Sequence, residues 1–89
     1  LHLWSPGREL RKVSAAGSAL TWDKFYSHCN ISEYDSVIPK GLVRMHHIPH
    51  WSNFLTTSVR KFIDMNFPPA IANQIMYGTS TMPLKYFED

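Results

Sequence analysis

Pro68 and Pro69 stand side by side, and no helix runs undisturbed through such a pair. Proline lacks an amide proton, its ring collides with the preceding turn, and it drives the residue before it out of the α region. A helix that approaches the pair must stop there, and a new one must start. Upstream, Leu55, Val59, Phe62, Ile63 and Phe67 recur at helical spacing, with Arg60 and Lys61 off that stripe. The spacing predicts an amphipathic helix over 52–67, with Ser52 as a candidate N-cap. Downstream, Pro69 suits the first turn of a short helix over 69–77, with Gly78 just past its end.

The other segments are shorter. Residues 1–20 read as an extended or partly helical arm. Over 21–30, Thr21 can cap a short helix whose Trp22, Phe25, Tyr26 and Cys29 fall at i, i+3, i+4 and i+7. Residues 31–51 carry Pro39, Gly41 and Pro49 without a sustained period and read as a connector. Residues 78–89 read as an extended tail anchored by Tyr86 and Phe87. The fold class expected is mainly α: short amphipathic helices joined by extended proline-containing segments, with little independent core.

Size explains that last expectation. Eighty-nine residues make one small domain, which buries a modest share of its surface, and Cys29 is its only cysteine, so no disulfide compensates. Charged residues reach 18%, below the roughly 25% of a soluble domain, while aromatics reach 13%. Contact with other chains would account for both. Residues 1–61 hold eight basic and four acidic side chains, giving +4, whereas residues 62–89 carry −2. This polarity suits docking between unlike surfaces and falls short of the basic excess of a nucleic-acid binder. The first residue is Leu1, as expected of a processed or truncated product, and RELRKVSAAGSAL has the Arg, Ser and Ala bias of an organelle-targeting segment. Met65 to Leu84 is free of charge for 20 residues. Asn66, Asn73, Gln74 and three prolines interrupt it, so it is expected to lie along a surface.

The stretch RMHHIPHW, residues 44–51, has the most chemical look. Imidazoles bind zinc or copper when three or four ligands converge. His46 and His50 have i, i+4 spacing, but Pro49 between them disfavours a helical pair, and neither HExxH nor CxxC is present. No metal and no cofactor is therefore expected, and the histidines read as hydrogen-bonding groups at a polar interface, with Arg44 and Trp51 beside them. Cys29 reads as a packed side chain. Asn30-Ile31-Ser32 matches a short glycosylation acceptor. Glu33 and Asp35 read as turn-capping or solvated carboxylates, and there is no GxSxG elbow or phosphate-binding glycine loop. No catalytic residue is expected.

ISEY (31–34), IPKGL (38–42), SVRKF (58–62), Pro68–Pro69 and YFED (86–89), with GREL near the start, carry a resemblance. Across about two thirds of its length the chain resembles the small ubiquinone-binding-protein (subunit 8) family of the mitochondrial cytochrome bc1 complex. The resemblance implies a structural role in assembling a respiratory complex. The expected function is thus that of a non-catalytic accessory subunit at the mitochondrial inner membrane, clamping neighbouring subunits and folding as it binds. A small histidine-rich metal-binding protein and a mitochondrial ribosomal accessory protein are the alternatives. The expected partner interface comprises Trp51, Leu55, Val59, Phe62, Ile63, Phe67, Tyr86 and Phe87. Arg44, Arg60 and Lys61 are expected to meet the membrane surface or an acidic neighbour, and no nucleic acid or small-molecule substrate is expected.

Overall fold

Three helix stops share one sequence logic, and they shape the molecule. The computed structural model describes residues 12–88. Among them are five α-helices: α1 (Ala15–Ala19), α2 (Trp22–His28), α3 (Val37–Met45), α4 (Val59–Asp64) and α5 (Pro69–Ser80). Two 3₁₀ helices, Trp51–Thr56 and Leu84–Tyr86, complete the set. The arm expected over residues 1–20 lies largely outside the described residues, as does Asp89.

Helices α2, α3 and α4 each end with a left-handed residue: Asn30 (φ 62°), His47 (φ 56°) and Asn66 (φ 73°). The next residue, Ile31, Ile48 or Phe67, sends its N–H back to the carbonyl of Tyr26, Val43 or Phe62 at 2.8–3.0 Å. The left-handed residue itself donates to Ser27, Arg44 or Ile63. These paired bonds form a Schellman stop, which satisfies the last carbonyls of the helix and turns an apolar residue back onto it. Asparagine tolerates the left-handed region through its short polar side chain; His47 carries more strain there.

The connector expected over 31–51 instead contains α3. Pro39 is tolerated because it falls in the first helical turn, where amide protons have no intrahelical acceptor. The helix expected over 52–67 is two elements. Thr56 and Thr57 both bond back to the Asn53 carbonyl, the chain is extended at Thr57 and Ser58, and Ser58 then caps α4 by accepting from Lys61 N. Hydroxyl side chains here compete with the helical ladder for the same backbone groups. Ser52 is not the cap; His50 takes that place. Thr21 does cap α2, accepting from Lys24 N. Pro69 starts α5 as expected, but the helix continues through Gly78 to Ser80. A methyl at Gly78 would overlap Cys29 Sγ, so glycine lets α5 lie directly on α2.

The ends of the described chain clasp each other. Ser14 N donates to the Tyr86 carbonyl and Glu88 N to that of Lys12, both at 2.9 Å, around an isolated antiparallel bridge between Val13 and Phe87. The expected scarcity of core is not confirmed: among the described residues fifteen hydrophobic side chains are buried in one cluster. Its middle is aromatic. Phe54 lies 4.9 Å from Phe62, 5.9 Å from Phe25 and 6.1 Å from Phe67, ring centre to ring centre. Edge-on contacts such as Phe54–Phe62 and Phe62–Phe67 set positive ring edges against negative faces.

Neighbours in α4 should therefore differ sharply. Phe62 is fully buried and Ile63 is 42% exposed. Phe62→Ala is expected to cost about 3–5 kcal/mol, and Ile63→Ala under about 1 kcal/mol. Urea unfolding of the two variants checks this.

Candidate functional site

The residues expected to meet a partner are mostly inside the molecule. Trp51, Leu55, Phe62, Phe67 and Phe87 are buried in the chain's own core, Val59 and Tyr86 are half-buried, and of the stripe only Ile63 reaches the surface. The periodicity marked residues that need covering; α5 and the 3₁₀ helices cover them within the chain. Arg44, Arg60 and Lys61 are exposed, with Arg60 3.7 Å from Asp64 one turn later.

Among the described residues, His28, His46 and His50 each bond to a different part of the chain. His46 Nε2 donates to the Met65 carbonyl at 3.0 Å, and His50 Nε2 to that of Ser18 at 3.2 Å. A carbonyl only accepts, so each of these nitrogens carries the proton. His50 Nδ1, left as an acceptor, takes the Ser52 backbone N–H and lies 2.8 Å from its hydroxyl. His28 Nε2 donates to the Gly78 carbonyl at 3.0 Å. Among the described residues no three His, Cys, Asp or Glu side chains converge on a point that would hold a metal. RMHHIPHW is a helix stop followed by a cap: His46 and His47 end α3, Ile48 packs back, and His50 starts the next element.

Burial pushes the Cys29 thiol up to about 12. The Tyr26 hydroxyl is also raised, first by burial and then by Cys29 and Asp23. That hydroxyl has no hydrogen-bond partner among the described residues. Its ring borders a shallow cleft of about 340 Å³ with Asp23, Ser27, Ser32, Glu33 and Ser36. The oxygen is sealed from solvent, so nothing in the cleft reaches it. Asp23 is held by Lys40 at 2.7 Å, and Ser36 Oγ donates to the Glu33 carbonyl. These contacts brace the turn into α3.

The surface feature that stands out is the outer face of α3. Tyr34, in the turn leading into the helix, is 88% exposed, and Val37, Ile38 and Met45 are 67%, 46% and 58% exposed. Within α3, Val37, Ile38, Gly41 and Met45 fall at i, i+1, i+4 and i+8, on one face of the helix, and Tyr34 stands just ahead of it in the turn. Pro39 and Val43 face the opposite way, into the core. Such a continuous apolar line is unusual on a monomer, where single exposed hydrophobics are ordinary. Gly41 is equally unexpected. A glycine inside a helix costs about 0.5–1 kcal/mol relative to alanine, and a methyl at Gly41 would meet nothing within 4 Å. No contact among the described residues gives a reason for it. Nor did sequence reading isolate this face, because α3 itself was hidden behind Pro39 and Gly41.

Compared with known proteins, the chain matches no family model, no curated protein and no solved structure at a significant level. Among the described residues no helix is long and apolar enough to cross a membrane.

Two outcomes follow from the groups just described. Replacing His47 with glycine relieves a left-handed histidine and is expected to raise stability by about 0.5–1 kcal/mol, read from the urea midpoint. Cys29 keeps its proton in the folded state above the pH at which the unfolded chain releases it, ordinarily about 8.5. Stability conferred by that buried thiol is present below that pH and falls as pH rises towards about 12. Iodoacetamide at pH 8.5 should accordingly label Cys29 only as fast as the protein opens.

Proposed function

We propose that this chain is a non-catalytic structural subunit that docks into a multi-subunit complex of the mitochondrial inner membrane, with the respiratory chain as its setting. The observation that carries the docking role is the outward line of Val37, Ile38 and Met45 on α3, with Tyr34 in the turn before it, all exposed among the described residues. Burying a side chain of this size contributes about 1.5–3 kcal/mol, so covering the line would drive association. Tyr77 and Leu84, at 64% and 71% exposed, add apolar contact points beyond α3. Short helices with proline at or beside their ends, at Pro39, Pro49, Pro68 and Pro83, suit a chain that fits between larger neighbours.

The membrane setting rests on the family resemblance of the segments between Ile31 and Phe87, and on the charge difference between the two parts of the chain. Arg44, Arg60 and Lys61 are exposed cations that can meet anionic headgroups or an acidic subunit. Phe62 of α4, with Leu55 and Phe67 on either side, is buried in the subunit's own core, and α3 carries the contact. Affinity isolation of the tagged chain from gently solubilised mitochondrial membranes tests this reading. Respiratory-complex subunits should co-purify with the wild type and with Lys61→Ala, and fall away with Ile38→Glu, whose side chain is on the surface. Co-purification unchanged by Ile38→Glu, or an isolate without such subunits, would overturn it.

A further inference from the structure

We infer that a second copy of this chain covers the outer face of α3, the two helices lying antiparallel across a twofold axis. This rests on the reading of α3 as a docking face and names its occupant. The pattern of the face is its own complement. Tyr34 and Met45, and likewise Ile38 and Gly41, are placed symmetrically about one point, between Pro39 and Lys40. Turning one helix antiparallel about that point sets Tyr34 against the partner's Met45 and Ile38 against the partner's Gly41. A bulky residue then meets the one position without a side chain, and the glycine that a single chain leaves unexplained becomes the seat for Ile38. Open space around Gly41 permits that approach.

Charge fits the same arrangement. Glu33 precedes the helix and Arg44 lies near its end, both exposed and neither with an ion-pair partner among the described residues. Glu33 lies in the turn ahead of α3 and Arg44 in its last turn, so the two stand at opposite ends of the apolar line. Across an antiparallel twofold, like edges face each other with their ends exchanged. Glu33 of each copy therefore meets Arg44 of the other, twice per dimer, with the midpoint of the pair one residue from that of the apolar pairs. A parallel pairing would place the two like edges on opposite sides of the seam and form neither contact.

Over Val37–Met45 the helical part of the face is only about 13 Å long at 1.5 Å per residue, so this contact sits at the small end of specific interfaces. The dissociation constant expected is on the order of micromolar to tens of micromolar.

Sedimentation velocity of the full chain, from about 1 to 200 μM around that constant, tests the inference. Wild type should pass from monomer to dimer across the range, and the transition should shift to higher concentration in added salt. Gly41→Gln, which fills the seat but favours helix, should keep the circular dichroism of the monomer, leave its melting unchanged or slightly raised, and weaken the dimer at least tenfold. Glu33→Arg and Arg44→Glu should each stay monomeric alone, because each sets like charges opposite one another. Mixed in equal amounts, they should form a heterodimer with both pairs restored. That rescue places Glu33 and Arg44 in the pairing interface, and dimerisation of the wild type, whose Glu33 and Arg44 meet only across an antiparallel seam, gives the orientation. A wild type monomeric throughout, or a dimer indifferent to Gly41→Gln and to the charge exchanges, would overturn the inference. A monomeric wild type whose Ile38→Glu variant still loses its co-purifying subunits would remove the second copy and leave the docking face standing. A dimer that responds as expected, with co-purification untouched by Ile38→Glu, would support the pairing and sink the membrane-complex reading.

Discussion

Trp51 is where the separate pieces of this chain meet. Its ring stacks on Phe25 of α2 at 5.6 Å and takes Phe87, near the C-terminal end, edge-on at 6.1 Å. Its indole N–H donates to the Gly17 carbonyl of α1 at 2.9 Å. One side chain thus joins the first helix, the second helix and the tail, with almost none of its surface left to water. An aromatic that large is worth burying only if its N–H finds an acceptor. Gly17 supplies one because it lies close to the tail: a methyl there would collide with the Tyr86 carbonyl and with Val13. The terminal clasp and the tryptophan anchor are therefore one arrangement.

Helix α5 completes it from the other side, packing against α2, α4 and the 3₁₀ helix that begins at Trp51. Most of the apolar side chains of the described chain are used in closing this unit. What remains outside is ordered rather than scattered, and the outer line of α3 is its clearest piece. A chain whose interior is satisfied can present such a line on a defined helix. The association expected of it is the meeting of two preformed surfaces, with less ordering to offset than coupled folding would require.

Much of the core was legible in the sequence, for an elementary reason. Residues at i, i+3 and i+4 share a helical face, so Phe25, Cys29, Phe62 and Phe67 announced themselves as buried, and Thr21 and Pro69 as helix starts. The assignment of that burial to a partner could not be read there, because periodicity shows that a face needs covering without saying what covers it. Phe54 was missed because it sits in a 3₁₀ helix whose three-residue turn breaks the α spacing. Helix α3 was missed because Pro39 and Gly41 look like breakers, although one falls in the first turn and the other is merely costly. The candidate site went with it. The stops were available in principle: Cys29-Asn30-Ile31, His46-His47-Ile48 and Met65-Asn66-Phe67 all place a polar residue tolerant of left-handed backbone before a large apolar one. The third recurrence turns RMHHIPHW from a puzzle in metal chemistry into a helix end.

The central claim is that the chain closes its own core around Trp51 and leaves only its surface for others. Hydrogen exchange of the Trp51 indole proton, followed by NMR on the isolated chain in dilute solution, tests that claim most directly. The account predicts that this proton exchanges only through global unfolding, as slowly as the most protected backbone amides of α5. Exchange at the rate of a free indole, or a Trp51 signal collapsed onto random-coil positions, would show that the core closes only when another chain is present. The division between interior and docking face would then be wrong.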